Sequence, residues 1–446
     1  MVRLSCRGCT GMSTIARKLM ASTVTEPFEY WISFIQGLDI INSIAVDSQG
    51  NIIAVGVTDS YQFIGPNDIF VIKFDTNGKI LWFYFYGGIE SDFGFGVTVD
   101  SQDNIIVVGD SQSFGAPSTT GALIFKLDTE GTIQWARFLG GSVYDTLRSV
   151  AVDSSDNVIA TGETRSTGTG YGDALVVKYN SSGTLQWQRV LAISGSNTTQ
   201  SGYSIAVDSS NNILIAGTTG GFAPPDGILC KLSSTGGSIW NRQFAHSTFN
   251  YSCSLDGVAV DSSDNIFAVG RSSLYGALVA KVSSSASLLL KKGLGGSLKE
   301  AGRAVSIDSF DNVILVGYSE PSSDDILIVK YNNSGALQWQ KNLGTSNDDY
   351  GRAVALDSQD NIVGSGYTSN SDLMTFKLPS DGTGDGTYGP FIYQDESLIE
   401  NTASPDLVYG SITLTNSTSP LTNSVVSLVQ VFVIGIPTTT LYKVTP

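Results

Sequence analysis

The chain has 446 residues but a single histidine, His246, and four cysteines, so the usual metal-binding and redox side chains are scarce. A zinc site needs about four such ligands. Cys6 and Cys9 form a CxxC that no second pair completes, and four cysteines are too few for a disulfide framework in a chain this size. Basic residues are also short: 25 against 41 acidic ones give a net charge of −16, a field that repels phosphate backbones and weighs against nucleic acid as a partner. No run of ~18–20 apolar residues exists to span a membrane. The N-terminus lacks the unbroken apolar core of a secretory signal. No nucleophile elbow accompanies His246, and Asp324-Asp325 and Asp348-Asp349 read as loop solvation rather than as a glycosidase pair. No catalytic residue, metal or cofactor is expected.

What is plentiful is glycine, 49 residues, together with 18 Tyr and 20 Phe, while charged residues make up only 15%. That composition suits short strands joined by turns. One phrase recurs seven times: a β-run ending in Asp, then Asn four residues on and Gly nine residues on. The aspartates are Asp47, Asp100, Asp153, Asp208, Asp261, Asp308 and Asp357. A second phrase follows each, an apolar strand with a Lys near its end (Lys73 to Lys377), and nine residues later Trp82, Trp135, Trp187, Trp240 or Trp339, with Leu290 in the fifth copy. A period of 47 to 55 residues is that of a four-stranded propeller blade.

The seventh copy lacks its tryptophan, and Trp31 stands alone ahead of the first. Residues 28–35 are therefore expected to supply the missing strand of blade seven and close the ring. The fold expected is all-β: a seven-bladed β-propeller of four-stranded blades over 26–382, preceded by an N-terminal arm (1–25) and followed by a small β-rich tail (383–446). The repeated Asp-x-x-x-Asn reads as turn chemistry, and the repeated lysines as paired or snorkelling groups.

Phrases such as Ser149-Val150-Ala151-Val152-Asp153-Ser154-Ser155-Asp156-Asn157 and Ala174-Leu175-Val176-Val177-Lys178-Tyr179 resemble the SBBP-type β-propeller repeat of bacteria and phages. The resemblance covers about residues 28–382. It implies the fold and carries no catalytic motif; such repeats occur in surface, secreted and virion-associated proteins.

Length changes fall in two steps only, from Gly to Lys (11 to 17 residues) and from Trp, or Leu290, to the next Asp (16 to 21). In an up-and-down blade both connections lie at one end, so one face is constant and the other variable. Variable faces of repeat proteins are often binding faces. Asp92, Asp145 and Asp349, eight residues before a repeat Asp, and Arg148, Arg303 and Arg352, five before it, are expected around the channel mouth there. They read as a ring of blade-to-blade ion pairs or as a polar pocket. Tyr171 and Phe222 are candidate contacts on the longer loops.

In the tail, the apolar run Val425–Ile436 must be buried, either on the propeller flank or, as the composition favours, against another copy in a homo-oligomer. These features add up to a non-enzymatic interaction or structural protein, a phage virion component whose variable face meets other virion or surface proteins, or a host-surface glycan. A secreted or cell-surface adhesin is the alternative, and a glycan-cleaving enzyme the third reading.

Overall fold

The computed structural model describes residues 29–35, 40–59, 65–115, 119–167, 171–193, 198–220, 225–246, 251–295, 300–319, 325–369 and 372–396, and in the tail 398, 400–402, 407–411, 414–418, 421–425, 429–432 and 439–444. The N-terminal arm, the CxxC and Phe222 lie outside them. Seven antiparallel sheets follow one another along the chain, each a meander of four strands. Blade two is typical: Asp92–Val99 innermost, then Ile105–Ser111, Gly121–Leu127 and Ile133–Gly140. Its two middle strands are buried at every position, because neighbouring blades cover both of their faces. Blade seven takes its fourth strand from Tyr30–Ile35, which pairs with Leu373–Leu378. Trp31 sits opposite Lys377, the register of Trp82 opposite Lys73, so the first strand of the chain completes the last blade.

The repeat phrase builds the constant face. Asp47 accepts from the amide and side-chain Nδ2 of Asn51 (2.8 and 2.9 Å) and from Lys73 Nζ (2.9 Å). The same Asp–Lys pair recurs in all seven blades, with every lysine side chain at most 13% exposed. Burial alone would raise the seven carboxyls. Hydrogen bonds from Asn and Lys outweigh it and hold all seven below the ordinary carboxylate range. The lysine also donates to the next blade: Lys281 to the carbonyl of Asn333 (2.9 Å) and Lys330 to that of Ser380 (3.0 Å). One ammonium thus fixes a turn, a strand and a blade interface.

A second latch joins the turns. The residue three after the repeat Asp holds a positive φ near 60° in six blades, and its side chain accepts or exchanges hydrogen bonds with the Ser following the previous blade's Asp, as Asp156 does with Ser101. The pairs run Ser48–Asp103, Ser101–Asp156, Ser154–Asn211, Ser209–Asp264, Ser262–Asp311 and Ser309–Asp360. At the junction of blades seven and one the position is Gly50, which has no side chain to complete the circle.

The tail takes the flank, the less favoured of its two expected places. It runs back around the ring and adds a further strand to the outer edge of each blade in turn. Phe391–Asp395 pairs with blade six, Glu400–Thr402 with blade five, Leu407–Ser411 with blade four and Leu414–Thr418 with blade three. Thr422–Val425 then joins blade two, Val429–Phe432 blade one, and Thr439–Val444 covers Tyr30–Ile35 in blade seven. The described part of the apolar run Val425–Ile436 is therefore taken by the chain's own blades rather than by a second copy. The physical reason is the row of unpaired amides and carbonyls on each outer strand, which a tail tethered to the same ring satisfies without association.

Candidate functional site

On every inner strand the pairing slips by one residue, six to four positions before the repeat Asp, as between Gly94 and Gly96 or Leu147 and Ser149. The extra residue is a β-bulge, and a bulge re-aims its side chain. The repeat glycine of the adjacent strand makes room for it: a Cβ at Gly109 would stand 1.8 Å from the carbonyl oxygen of Phe93, and one at Gly162 2.0 Å from that of Thr146. The seven bulged residues are Asn42, Phe95, Arg148, Tyr203, Asp256, Arg303 and Arg352, and all seven line the variable-face end of the central channel. With Glu163 and Arg271 from the second strands they bound a cavity of about 720 Å³.

Contacts run around this ring from blade to blade. Arg148 lies between Phe95 and Tyr203, its guanidinium carbon 5.6 Å from each ring centre. Asn42 donates to the carbonyl of Gly94 (2.8 Å), and Arg303 pairs with Asp256 (2.9 Å). Burial would lower Arg303, but Asp256 and Tyr318 outweigh it and hold the guanidinium above its ordinary value. Arg352 donates to Tyr367 Oη (3.2 Å) and lies over its ring; Tyr350 stacks on Tyr367 and meets Tyr318 edge-on.

Arg148, Arg303 and Arg352 thus stand in the channel lining. Asp92, Asp145 and Asp349 do not, and here the expected acidic mouth is corrected. Each is the first residue of an inner strand, fully buried, and turned into the loops. Asp92 accepts from the Gly88 amide (2.7 Å) and Ser113 Oγ (2.9 Å), Asp145 from the Gly141 amide (2.8 Å) and Ser166 Oγ (2.8 Å), and Asp349 from the amide and hydroxyl of Thr345 (2.6 and 2.9 Å). They tie the variable connections together because loop amides at a buried strand start need acceptors. Burial pushes Asp349 up to about 6, and does the same to Asp110, which Tyr144 Oη meets at 3.2 Å. Nor do arginines and aspartates alternate as ion pairs around the ring: among the described residues only Arg303–Asp256 links two blades at this level. Tyr171 stands on the variable face outside the cavity, 52% exposed.

Asn42, Phe95, Tyr203 and Asp256 were not marked by sequence reasoning, although the offset that marked the arginines, five before each Asp, picks them out in every blade. Glu163 and Arg271 follow a repeat glycine directly, a second legible offset.

Residues 188–222 match the SBBP family, described as a β-propeller repeat. That stretch is an SBBP-type β-propeller repeat. The same phrases occur in all seven blades, and the matched stretch spans the outer strand of blade three and the first two strands of blade four. An uncharacterized WD repeat-containing protein of Acanthamoeba polyphaga mimivirus is 28% identical to this chain over 194 residues, a match taking in 33% of the chain and only 14% of the viral protein. Among solved structures, the WD40 β-propeller domain of Doa1 is 12% identical with a TM-score of 0.49 over 78% of this chain and 96% of its own. The periplasmic gluconolactonase PpgL of Pseudomonas aeruginosa is 9% identical, with a TM-score of 0.45 over 69% and 94%. Among the described residues no helix is long and apolar enough to cross a membrane.

Proposed function

We propose that this propeller is a non-enzymatic interaction module that holds a partner protein at the variable-face mouth of its channel, as a component of a virus particle. The ring of bulged residues carries the reading. One scaffold position is presented seven times with five kinds of side chain, whereas positions that serve the ring itself repeat, as the Asp–Lys pairs do. Variation at a fixed, inward-aimed position is what a binding surface needs and a structural one does not. The viral source of the WD-repeat relative supports the setting. Exposed Tyr171 on the same face keeps a host-surface glycan as the other partner to test, and a surface adhesin as the other placement.

Mass spectrometry of particles and culture fractions from the native source tests the placement; abundance in the particle supports it, and recovery only at a cell surface overturns it. For the interaction, the chain is isolated with whatever accompanies it. A companion in fixed ratio, lost with Arg352→Gln but kept with Phe310→Ala on the constant face, supports the module. A chain that purifies alone, or a companion indifferent to Arg352, overturns it.

A further inference from the structure

The channel mouth is a cationic recess in an acidic protein. Four arginines line it, Arg148, Arg271, Arg303 and Arg352, against two carboxylates, Glu163 and Asp256, while the whole chain carries −16. Both carboxylates are already engaged. Glu163 accepts from Arg165 Nε (2.8 Å), outside the lining, and from Ser201 Oγ (2.6 Å); Asp256 pairs with Arg303. Among the described residues Arg148, Arg271 and Arg352 have no carboxylate within ion-pair distance, and Arg148 Nε is buried with no hydrogen-bond partner at all.

Half-buried guanidiniums without an anion are unfavourable; the rings of Phe95 and Tyr203 compensate at Arg148 only through their faces, and Tyr367 gives Arg352 its face and one hydroxyl acceptor. Among the planar N–H donors, Arg148 Nε stays open. Their fork matches the paired oxygens of a carboxylate, and the adjoining rings hold it in place before any ligand arrives. We infer that the mouth of the channel binds a short acidic segment of a partner protein, Asp or Glu side chains entering between Arg148, Arg271 and Arg352. This rests on the interaction reading above and names its chemistry. A cavity of about 720 Å³ admits a few side chains, and the negative outer field turns away long polyanions while the low-dielectric walls concentrate the local positive potential.

Calorimetric titration of the full chain with a hexaglutamate peptide tests this, with a hexaglutamine peptide and inorganic phosphate as comparisons. Hexaglutamate is expected to bind saturably, one per chain, and to weaken with salt; each of Arg148→Gln and Arg352→Gln is expected to weaken it about tenfold or more. Arg271→Gln, whose side chain is exposed in the channel, keeps the test open should the other two fail to fold, and the same loss is expected. Lys341→Gln, on the flank beside Asp385 and Asp395, should bind as the parent does. No saturable binding, equal affinity for hexaglutamine or phosphate, or undiminished affinity in the arginine variants overturns the inference. If hexaglutamate fails while an Arg352-dependent companion still co-purifies, the acidic-segment chemistry falls and the interaction reading stands. If the companion is also absent, both fall.

Discussion

The two faces of the disc are made by the same strands and obey opposite rules. On the constant face, seven copies of Asp, Asn and Lys make the same bonds, so a single solution to the turn is used without variation. On the variable face, the position five residues earlier on the same strand holds Asn, Phe, Arg, Tyr or Asp. About four residues of strand separate a position that is the same in all seven blades from one that takes five kinds of side chain. The repeat glycine connects them: it admits the bulge that turns the variable side chain inward, so the invariant motif is what frees its neighbour to differ.

Four experiments press on this contrast. The largest effect is expected from removing residues 386–444, which strips the outer edge of all seven blades. Association and precipitation, read by light scattering, should follow from the bared edges; a stable monomer would show that the edges need no cover. Next comes the constant face. Lys178→Met leaves Asp153 buried without its cation, and breaking such a pair costs about 3–5 kcal/mol, measurable by denaturant unfolding. A loss as small as that of a surface substitution would remove the pairs from the account of ring stability.

A pH series separates the faces by sign. The seven repeat carboxyls are depressed in the folded state, so their contribution is complete above the ordinary value of 3.8 and is lost as pH falls through the lower folded values. Asp110 and Asp349 are raised to about 6, so folding takes up protons there and stability rises as pH falls from about 6 towards 4. Melting temperature should thus peak at about pH 4, and Asp349→Asn should lessen the slope of the branch above the peak, where Asp110 still contributes, while leaving the acid branch alone. The smallest effect is a gain. Gly50→Asp would give the seven–one junction the latch the other six have, raising stability by roughly 0.5–1 kcal/mol provided the Thr76 methyl, 3.1 Å from the new Cβ, gives way. A lower melting temperature would mean that the left-handed backbone at Gly50 outweighs the new bonds.

Much of this architecture was legible beforehand because repetition multiplies a weak local signal by seven. The blade count, the closure through Trp31 and the constant face all follow from offsets that recur. The candidate site was half legible: Arg148, Arg303 and Arg352 were found by their offset, but Asp92, Asp145 and Asp349 were given the same destination. Alternation along a strand already predicts opposite faces for residues three positions apart, which separates the two sets; what composition does not show is the bulge that aims Arg148, Arg303 and Arg352 into the channel. The belt was only partly legible: its β character and the flank as one resting place could be read, its pairing with every blade could not. Backbone pairing along an edge asks little of the side chains, and a partner from 48 residues away in blade six to 414 in blade seven leaves no local mark.

The belt also imposes an order in time. Every blade precedes it in the chain, and the strand it finally covers in blade seven, Tyr30–Ile35, is the earliest of all. During synthesis at about 5–20 residues per second the outer strands of six blades wait bare for times from about 3–10 s in blade six to roughly 17–70 s in blade one, and the first strand waits for the whole propeller. A nascent ring of this kind is most exposed to misassociation just before the belt emerges, so a chaperone matters more to its yield than to its final stability.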